Sequence, residues 1–141
     1  MEDTFKLTRF LDAQNQVYLK ALGEIQQGQK QSHWMWFIFP QLKGLETSDA
    51  ANYYGIRNLA EAKAYLQHPV LGKHLRQITT ALLALEGKTA FEVFGSPDDM
   101  KLRSCMTLFS LAQDTEDIFQ QVLDTYFGGE PDSKTISLLR M

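Results

Sequence analysis

His33 is the residue of this chain whose type and setting best suit acid–base chemistry. It directly precedes an unbroken run of large apolar residues, Trp34 to Phe39, and that run holds both tryptophans of the chain. An apolar wall beside an imidazole shifts its pKa, and groups with shifted pKa values collect at functional sites. His33 is therefore a candidate catalytic residue. The alternative is a structural histidine that bonds a backbone carbonyl.

The residues that follow His33 are candidates for contact with a ligand. Trp34 and Trp36 have rings that stack on planar or sugar-like molecules, although tryptophans more often pack in a core. Gln41 ends the same segment, directly after Pro40, and carries both a hydrogen-bond donor and an acceptor. The segment therefore predicts an aromatic-walled pocket with a polar edge.

Tyr53 and Arg57 lie in or beside a long connection that we expect to span residues 41–57. The fork of an arginine guanidinium suits a carboxylate or a phosphate, and long connections in small domains are often functional. The alternative is a loop that its own aromatic side chains hold against the core.

Lys101, Arg103 and Ser104 belong to a predicted helix at residues 97–112. Lys101 and Ser104 share a mainly apolar side of that helix, where a lysine either extends to solvent or points into a cavity. Local ion pairs with Asp98 and Asp99 are the alternative for the basic side chains. We predict that His33, Arg57 and Lys101 converge on one water-accessible cavity walled by Trp34 or Trp36.

Several other chemistries find no support in the sequence. The three histidines, His33, His68 and His74, lack the spacing of a metal-binding pair, and the single cysteine, Cys105, allows neither an intrachain disulfide nor a Cys-rich zinc site. Phosphate-loop, dinucleotide-binding and nucleophile-elbow motifs are absent. We expect no metal and no cofactor. His68 is interpreted as a backbone cap, His74 as an exposed residue and Cys105 as a buried, inert thiol.

The composition limits the class of protein and its partners. The 141 residues contain 44% hydrophobic and 22% charged residues, typical of one soluble domain that we expect to span residues 1–141. A net charge of −3 argues against nucleic acid as the main partner. No stretch is long and apolar enough for a membrane helix, and the acidic start lacks the pattern of a signal peptide. We expect a cytoplasmic protein that is a monomer or a weak homodimer.

Helix signals occur throughout, and no segment alternates convincingly as a strand. Apolar spacing predicts one helix over residues 8–27, closed by Gly28, and a short helix that Ser32 begins and Pro40 ends. Helix starts are predicted after residues 48, 58, 68, 89, 96, 114 and 132 from capping residues and prolines. The prediction is an all-α single compact domain of about seven or eight helices in an orthogonal or irregular bundle. Composition would also allow a short buried strand at residues 37–39.

Three motifs carry a resemblance to a known family. They are His33-Trp34-Met35-Trp36-Phe37-Ile38-Phe39-Pro40-Gln41, Glu61-Ala62-x-Ala64-Tyr65-Leu66-x-His68-Pro69-x-Leu71-Gly72, and Phe94-Gly95-x-Pro97-Asp98-Asp99-x-Lys101-Leu102-Arg103-Ser104. The chain resembles a family of small bacterial domains of unknown function, often labelled "calpastatin". The resemblance covers residues 10–139. It implies an all-α fold of the kind first seen in a small mycobacterial member, and it implies no activity.

Two details of the resemblance have consequences. Glu46 departs from it, because we expect glycine in the turn Gly44-Leu45-x-x-Ser48. A calpastatin-like inhibitor is a disordered chain, whereas this sequence has capped amphipathic helices and a core, so the inhibitor label fails on physical grounds.

Two functional hypotheses of different classes remain. The first is a small polar or anionic ligand, an unknown small molecule, held in the aromatic-walled pocket, with possible enzymatic activity. The second is a protein-interaction domain that uses the same aromatic residues as an exposed patch. A remote alternative is an N-glycosidase acting on ADP-ribosyl compounds, similar to the NADAR-type enzymes in general character and in no matched motif.

Overall fold

Helices dominate the computed structural model, which describes residues 5–114 and 116–140. Ten helices occur in that part of the chain, and the one β-type pairing found there is an isolated parallel bridge between Leu42 and Ile56. The helices are α1 Thr8–Gln14, α2 Tyr18–Gln26, α3 Met35–Ile38, α4 Asp49–Tyr54, α5 Leu59–Gln67, α6 Leu71–Leu83, α7 Ala90–Phe94, α8 Asp98–Ala112, α9 Ile118–Phe127 and α10 Ser133–Leu139. The predicted all-α class is confirmed, with more helices than the seven or eight expected.

The predicted first helix is in fact two helices. α1 ends at Gln14 and α2 begins at Tyr18, with an i→i+3 hydrogen bond from the Val17 N–H to the Gln14 carbonyl at 3.1 Å between them. Gln14 is buried, and its amide donates to the Phe37 carbonyl and to the Tyr65 hydroxyl. Gln14 is thus held by partners in α3 and α5. These tertiary contacts explain why the chain forms two helices here and not the single helix that its apolar spacing predicts.

Capping side chains set most of the helix starts that the sequence predicts. Ser48, Asn58 and Asp132 each accept a hydrogen bond from the backbone N–H three residues ahead. Thr89 and Glu92 form a complete capping box. These bonds satisfy N–H groups that the first turn of a helix leaves without partners. The helical turn expected after Ser48 is therefore confirmed as α4.

Both proline junctions differ in detail from the prediction. α6 begins at Leu71 and not at Pro69, and His68 Nδ1 accepts from the Val70 and Leu71 N–H groups, which confirms His68 as a backbone cap. α8 begins at Asp98, directly after Pro97, and no side chain caps it. Ser96 is thus not the N-cap that the sequence predicted. Thr115, one of the two predicted starts of α9, lies outside the described residues.

α8 is the central element of the fold. Its apolar residues are buried on most sides, because it packs against α5, α7, α9 and α10. The core also includes residues of α1, α2 and α6, the segment before and within α3, and Leu42 and Ile56 of the following connection. Residues 37–39, for which a strand was an option, belong to α3 and the residue after it. In the described part of the chain no helix is long and apolar enough to cross a membrane.

The long connection between α3 and α5 is held to the core by backbone pairing. The Lys43 N–H donates to the Ile56 carbonyl at 2.7 Å, and the Ile56 N–H donates to the Gln41 carbonyl at 3.0 Å. Gln41, Leu42 and Ile56 are buried as a result. Glu46, within this connection, lies near the first turn of α8, with its Oε1 atom 3.8 Å from Lys101 Nζ.

Candidate functional site

Trp34 is a core residue in the structure and not a wall of an open pocket. Its side chain has no exposed surface, and its indole N–H donates to Glu24 Oε1 at 2.9 Å. The predicted role of Trp34 as a ligand contact is corrected accordingly, because a fully enclosed ring cannot meet a ligand from solvent. The run that begins at Trp34 is buried on most sides, as its composition indicates.

Glu24 organises the backbone on the N-terminal side of Trp34. Its carboxylate accepts from the Gln31 N–H at 2.7 Å, the Ser32 N–H at 3.0 Å and the Ser32 hydroxyl at 2.7 Å, in addition to the indole. Burial on its own would raise the pKa of this carboxyl, but these hydrogen bonds outweigh it and lower the pKa to about 2. Glu24 therefore acts as an ionised internal anchor at neutral pH.

Trp36, two residues further on, meets Lys101 of α8. The Lys101 ammonium lies 4.2 Å from the centroid of the Trp36 ring, within the range of a cation–π contact. Trp36 is half-buried, and its Nε1 atom is buried without a hydrogen-bond partner among the described residues. The first and third motifs of the sequence thus come into direct contact through these two side chains, which are more than 60 residues apart in the chain.

Three further side chains complete a polar group around Trp36 and Lys101. The Lys101 ammonium lies 3.4 Å from Asp98 Oδ1 and 3.8 Å from Glu46 Oε1. Glu46 Oε2 accepts a hydrogen bond from the Gln41 amide at 2.7 Å. We call these residues, Gln41, Trp36, Glu46, Asp98 and Lys101, the Trp36–Lys101 cluster.

Lys30 supports the cluster from the side of Trp34. Its ammonium pairs with Asp98 Oδ2 at 2.9 Å and donates to the Ser32 carbonyl at 2.6 Å, and it lies 5.0 Å from the Trp34 ring centroid. Asp98 is therefore shared by two lysines, with the closer contact to Lys30. The negative charge of Asp98 is largely met by Lys30, which leaves Lys101 with looser pairing.

Arg57 and Tyr53 belong to a different group of side chains. Glu61 is fully buried, and it accepts from Arg9 at 2.6 Å, from the Arg57 N–H at 2.9 Å and from Arg57 Nε at 3.3 Å. The Arg57 guanidinium also lies 5.5 Å from the Phe5 ring centroid. Tyr53 is exposed, and it lines with Arg57 a small cleft of about 250 Å³.

Arg103 and Ser104 have structural partners. Arg103 donates to the backbone carbonyls of Glu130 and Pro131 and pairs with the Glu130 carboxylate, so it ties α8 to the segment before α10. Ser104 is buried and donates to the Met100 carbonyl one turn earlier in α8. Neither side chain contacts the Trp36–Lys101 cluster in the interactions seen among described residues.

The predicted convergence of His33, Arg57 and Lys101 is not what the contacts indicate. His33 is exposed. The two clefts that Arg57 lines include neither His33 nor Lys101. Of the predicted site residues, Trp36, Gln41 and Lys101 lie together in the Trp36–Lys101 cluster. Arg57 pairs with Glu61 at i,i+4 spacing across the start of α5, a local ion pair that the prediction did not include.

The predicted exposed aromatic patch does not form from the tryptophans. Trp34 is enclosed and Trp36 is half-buried under Lys101. Among the described residues the exposed large apolar side chains come from several separate elements: Leu19, Tyr53, Val70, Phe91, Met100 and Leu111.

Four residues in or next to the Trp36–Lys101 cluster were not predicted as site residues from the sequence. Glu24, Lys30 and Asp98 were not selected, and Glu46 was noted only as a departure from the family pattern. A signal was available for Glu24, since it falls on the buried side of α2, where an acid needs partners. Within the described residues no group of His, Cys, Asp and Glu side chains is arranged to hold a metal ion.

Comparisons with known proteins agree on the family and on the fold. The family model described as "Protein of unknown function (DUF1810)" matches residues 4–139. The crystal structure of the conserved hypothetical protein Rv1873 from Mycobacterium tuberculosis is 47% identical in sequence, and the match covers 99% of each chain with a TM-score of 0.96. No curated protein matches this chain. Neither matching description carries the calpastatin label.

Proposed function

We propose, from the premise that this chain belongs to the DUF1810 family of proteins of unknown function, that it binds a small polar or anionic ligand at the Trp36–Lys101 cluster. One observation carries the proposal. Lys101 Nζ and Trp36 Nε1 are neighbouring hydrogen-bond donors, both largely buried, and neither has a close acceptor among the described residues.

The pairing of Lys101 is loose in comparison with that of its neighbour. Its two carboxylate contacts are 3.4 and 3.8 Å, although its side chain is only 11% exposed. Close charge-assisted hydrogen bonds are about 2.7–2.9 Å long. The buried Trp36 Nε1 has no acceptor among the described residues, and such a donor costs roughly 1–3 kcal/mol. A ligand that brings an acceptor to Lys101 and to the Trp36 indole would recover that energy.

The complementary ligand is rich in acceptors. Phosphate, carboxylate and clustered hydroxyl groups all offer oxygens to an ammonium and an indole N–H. The Trp36 ring adds an apolar surface beside those donors, which suits a molecule with both a flat or carbon-rich part and an anionic part.

Glu46 occupies the side of the cluster that such a ligand would approach. Its carboxylate faces Lys101 and accepts from Gln41, and its side chain is 35% exposed. Glu46 is also the residue that departs from the family resemblance, where glycine is expected. We infer that the Glu46 carboxylate competes with an anionic ligand for Gln41 and Lys101 in this chain.

The test is calorimetric titration with three probes, inorganic phosphate, citrate and ADP-ribose. ADP-ribose is included because it is the product that the alternative N-glycosidase activity would release. Binding of phosphate or citrate, which carry no heterocycle, should be lost in Lys101→Gln and weakened in Trp36→Phe, which keeps a ring and removes the N–H. Arg103→Gln is the matched control, because Arg103 lies on the same helix and near another aromatic ring but outside the cluster.

Glu46→Gly is the most discriminating variant, because the proposal predicts that it increases the affinity for anions. Removal of the competing carboxylate should tighten anion binding by about tenfold, which corresponds to roughly 1.4 kcal/mol. Unchanged affinity in Glu46→Gly together with unchanged affinity in Lys101→Gln would contradict the proposal. Tryptophan emission serves as a second readout, since Trp34 is enclosed and Trp36 is the ring next to the ligand.

A further inference from the structure

A large open cleft lies away from the Trp36–Lys101 cluster. It has a volume of about 1110 Å³ and runs between the junction of α1 with α2 and the first turns of α6. His74, Tyr18 and Gln14 line it together with Gln77, Leu19 and Val70. Ligand sites are commonly clefts of roughly 300–1,000 Å³, so its size admits a small molecule.

A fixed polar network forms one wall of this cleft. The Tyr18 ring and the His74 imidazole are stacked with centroids 3.7 Å apart and planes 8° from parallel. The Tyr18 hydroxyl donates to Gln77 Oε1 at 2.6 Å. Gln14 Oε1 lies 2.8 Å from His74 Nδ1. Each ring is therefore held both by stacking and by a hydrogen bond, which gives the wall a defined geometry.

The orientation of Gln14 decides which nitrogen of His74 carries the proton. The Gln14 amide nitrogen donates to the Phe37 carbonyl at 2.7 Å and to the Tyr65 hydroxyl at 3.0 Å, so its oxygen must face His74. His74 Nδ1 is consequently the donor to Gln14. Burial, and then the nearby charge of Lys73, lowers the pKa of His74, which favours the neutral ring at pH 7.

A neutral imidazole that donates through Nδ1 is an acceptor at Nε2. His74 Nε2 has no hydrogen-bond partner among the residues that the structure describes. Exposed Leu19 and Val70 lie along the same cleft, although large apolar side chains are usually covered. The cleft thus combines a fixed acceptor, amide groups and an apolar surface, with one acid and one lysine, Asp12 and Lys73, among the residues that line it.

We propose that this cleft is a second binding site, for a flat uncharged nitrogen heterocycle that donates an N–H to His74 Nε2 and rests against Leu19 and Val70. Amide side chains such as Gln77 hydrogen-bond the edges of such rings. The apolar side chains cover the faces. This site does not depend on the Trp36–Lys101 cluster, whose ligand is acceptor-rich and anionic.

The experiment is nuclear magnetic resonance of the histidine rings, titrated with adenine and with uracil to millimolar concentration. In the free protein the two ring nitrogens should show His74 as the Nδ1–H tautomer. Adenine or uracil should shift His74 Nε2 and leave His33, which lines no described cleft, unchanged. Glucose is the comparison compound, because it has hydroxyl donors but neither a planar ring nor an N–H group.

Two variants test whether His74 and Leu19 contribute to binding of the heterocycle. His74→Phe keeps the stacked ring and removes the acceptor, so affinity should fall about tenfold. Leu19→Ala changes an exposed residue and should fold normally, with affinity reduced severalfold. Leu111→Ala is its control, because Leu111 is another exposed leucine and lines none of the described clefts.

Three results would overturn the proposal. They are an Nε2–H tautomer at His74, binding of glucose in place of both heterocycles, and no shift of His74 by either heterocycle. Binding that Leu19→Ala leaves unchanged would also count against it. Phosphate or citrate titrations cannot produce any of these results, so failure here is distinct from failure at the Trp36–Lys101 cluster.

Discussion

Trp34 and Glu24 form a hydrogen bond between a fully enclosed indole and a buried carboxylate, with 2.9 Å between Nε1 and Oε1. The same carboxylate holds the backbone of residues 31 and 32. α2 is thereby joined to the segment that leads into α3 and to Trp36. The position of Trp36 beside Lys101 rests on this internal anchor.

Glu24→Gln should destabilise the protein by about 3 kcal/mol at pH 7. Glutamine keeps one oxygen acceptor but replaces the other with a donor that faces the donors of Gln31, Ser32 and Trp34. Loss of charge-assisted hydrogen bonds and buried donors without partners each cost roughly 1–3 kcal/mol. Urea unfolding at pH 7 measures the difference, and a loss below about 1 kcal/mol would show that the anchor is dispensable.

The contribution of Glu24 should depend on pH in a specific window. Its pKa is lowered from 4.5 to about 2 in the folded protein, so its stabilising effect is fully present above pH 4.5 and is lost as pH falls toward 2. The difference in unfolding free energy between the native protein and Glu24→Gln should therefore shrink between pH 5 and pH 3. A difference that stays constant over that range would contradict the lowered pKa.

Glu61→Gln should be more harmful than the loss of an exposed acid. Glu61 is fully buried between Arg9 and Arg57, and removal of its charge leaves the Arg9 guanidinium, only 10% exposed, without its counter-charge. Breaking a buried ion pair from one side costs roughly 3–5 kcal/mol. Glu116→Gln is the control, since its pair with Arg76 is 41% exposed on the arginine side and exposed pairs contribute about 0–1 kcal/mol. Equal effects of the two substitutions on urea unfolding would refute the comparison.

Thr89 and Ser96 both look like N-caps in the sequence, but only Thr89 caps a helix in the structure. Thr89→Ala should cost about 1 kcal/mol, because Thr89 accepts from the Glu92 N–H at 3.1 Å. Ser96→Ala should change stability by less than about 0.5 kcal/mol, because α8 begins after Pro97 and has no side-chain cap. Thermal unfolding of both variants is the measurement, and a larger loss in Ser96→Ala would place the start of α8 earlier.

The sequence predicted those structural features that depend on residues close together in the chain, such as helix caps. Thr89, Asn58 and Asp132 cap helices through bonds to residues three positions ahead, and such bonds need no knowledge of the tertiary structure. The split between α1 and α2 was not predicted, because its cause lies in the contacts of Gln14 with Phe37 and Tyr65. The weak sign of it was a polar residue on an otherwise apolar helical face.

In the candidate site, too, residue types could be selected from the sequence, but their tertiary contacts could not. Trp36 and Lys101 were selected from sequence by type, yet their contact depends on how α3 and α8 pack, and no local pattern encodes that. His74 was interpreted as exposed because its helical position alone does not reveal the Tyr18 ring from α2. Arg57 was assigned to another group of side chains, although its i,i+4 spacing from Glu61 was a local sign of their ion pair. The second partner of Glu61, the arginine at residue 9, lies more than 40 residues away and gave no such sign.

Two glycines in helices should respond to alanine in opposite directions. At Gly72 a Cβ atom would overlap the Leu66 carbonyl oxygen, so Gly72→Ala must push α6 away from the end of α5. Such overpacking costs typically about 1–3 kcal/mol. At Gly23 a Cβ atom would meet nothing within 4 Å, so Gly23→Ala should stabilise α2 by about 0.5–1 kcal/mol through helix propensity. Urea unfolding of the two variants decides the point. A stabilised Gly72→Ala would mean that α5 and α6 do not approach each other as closely as described.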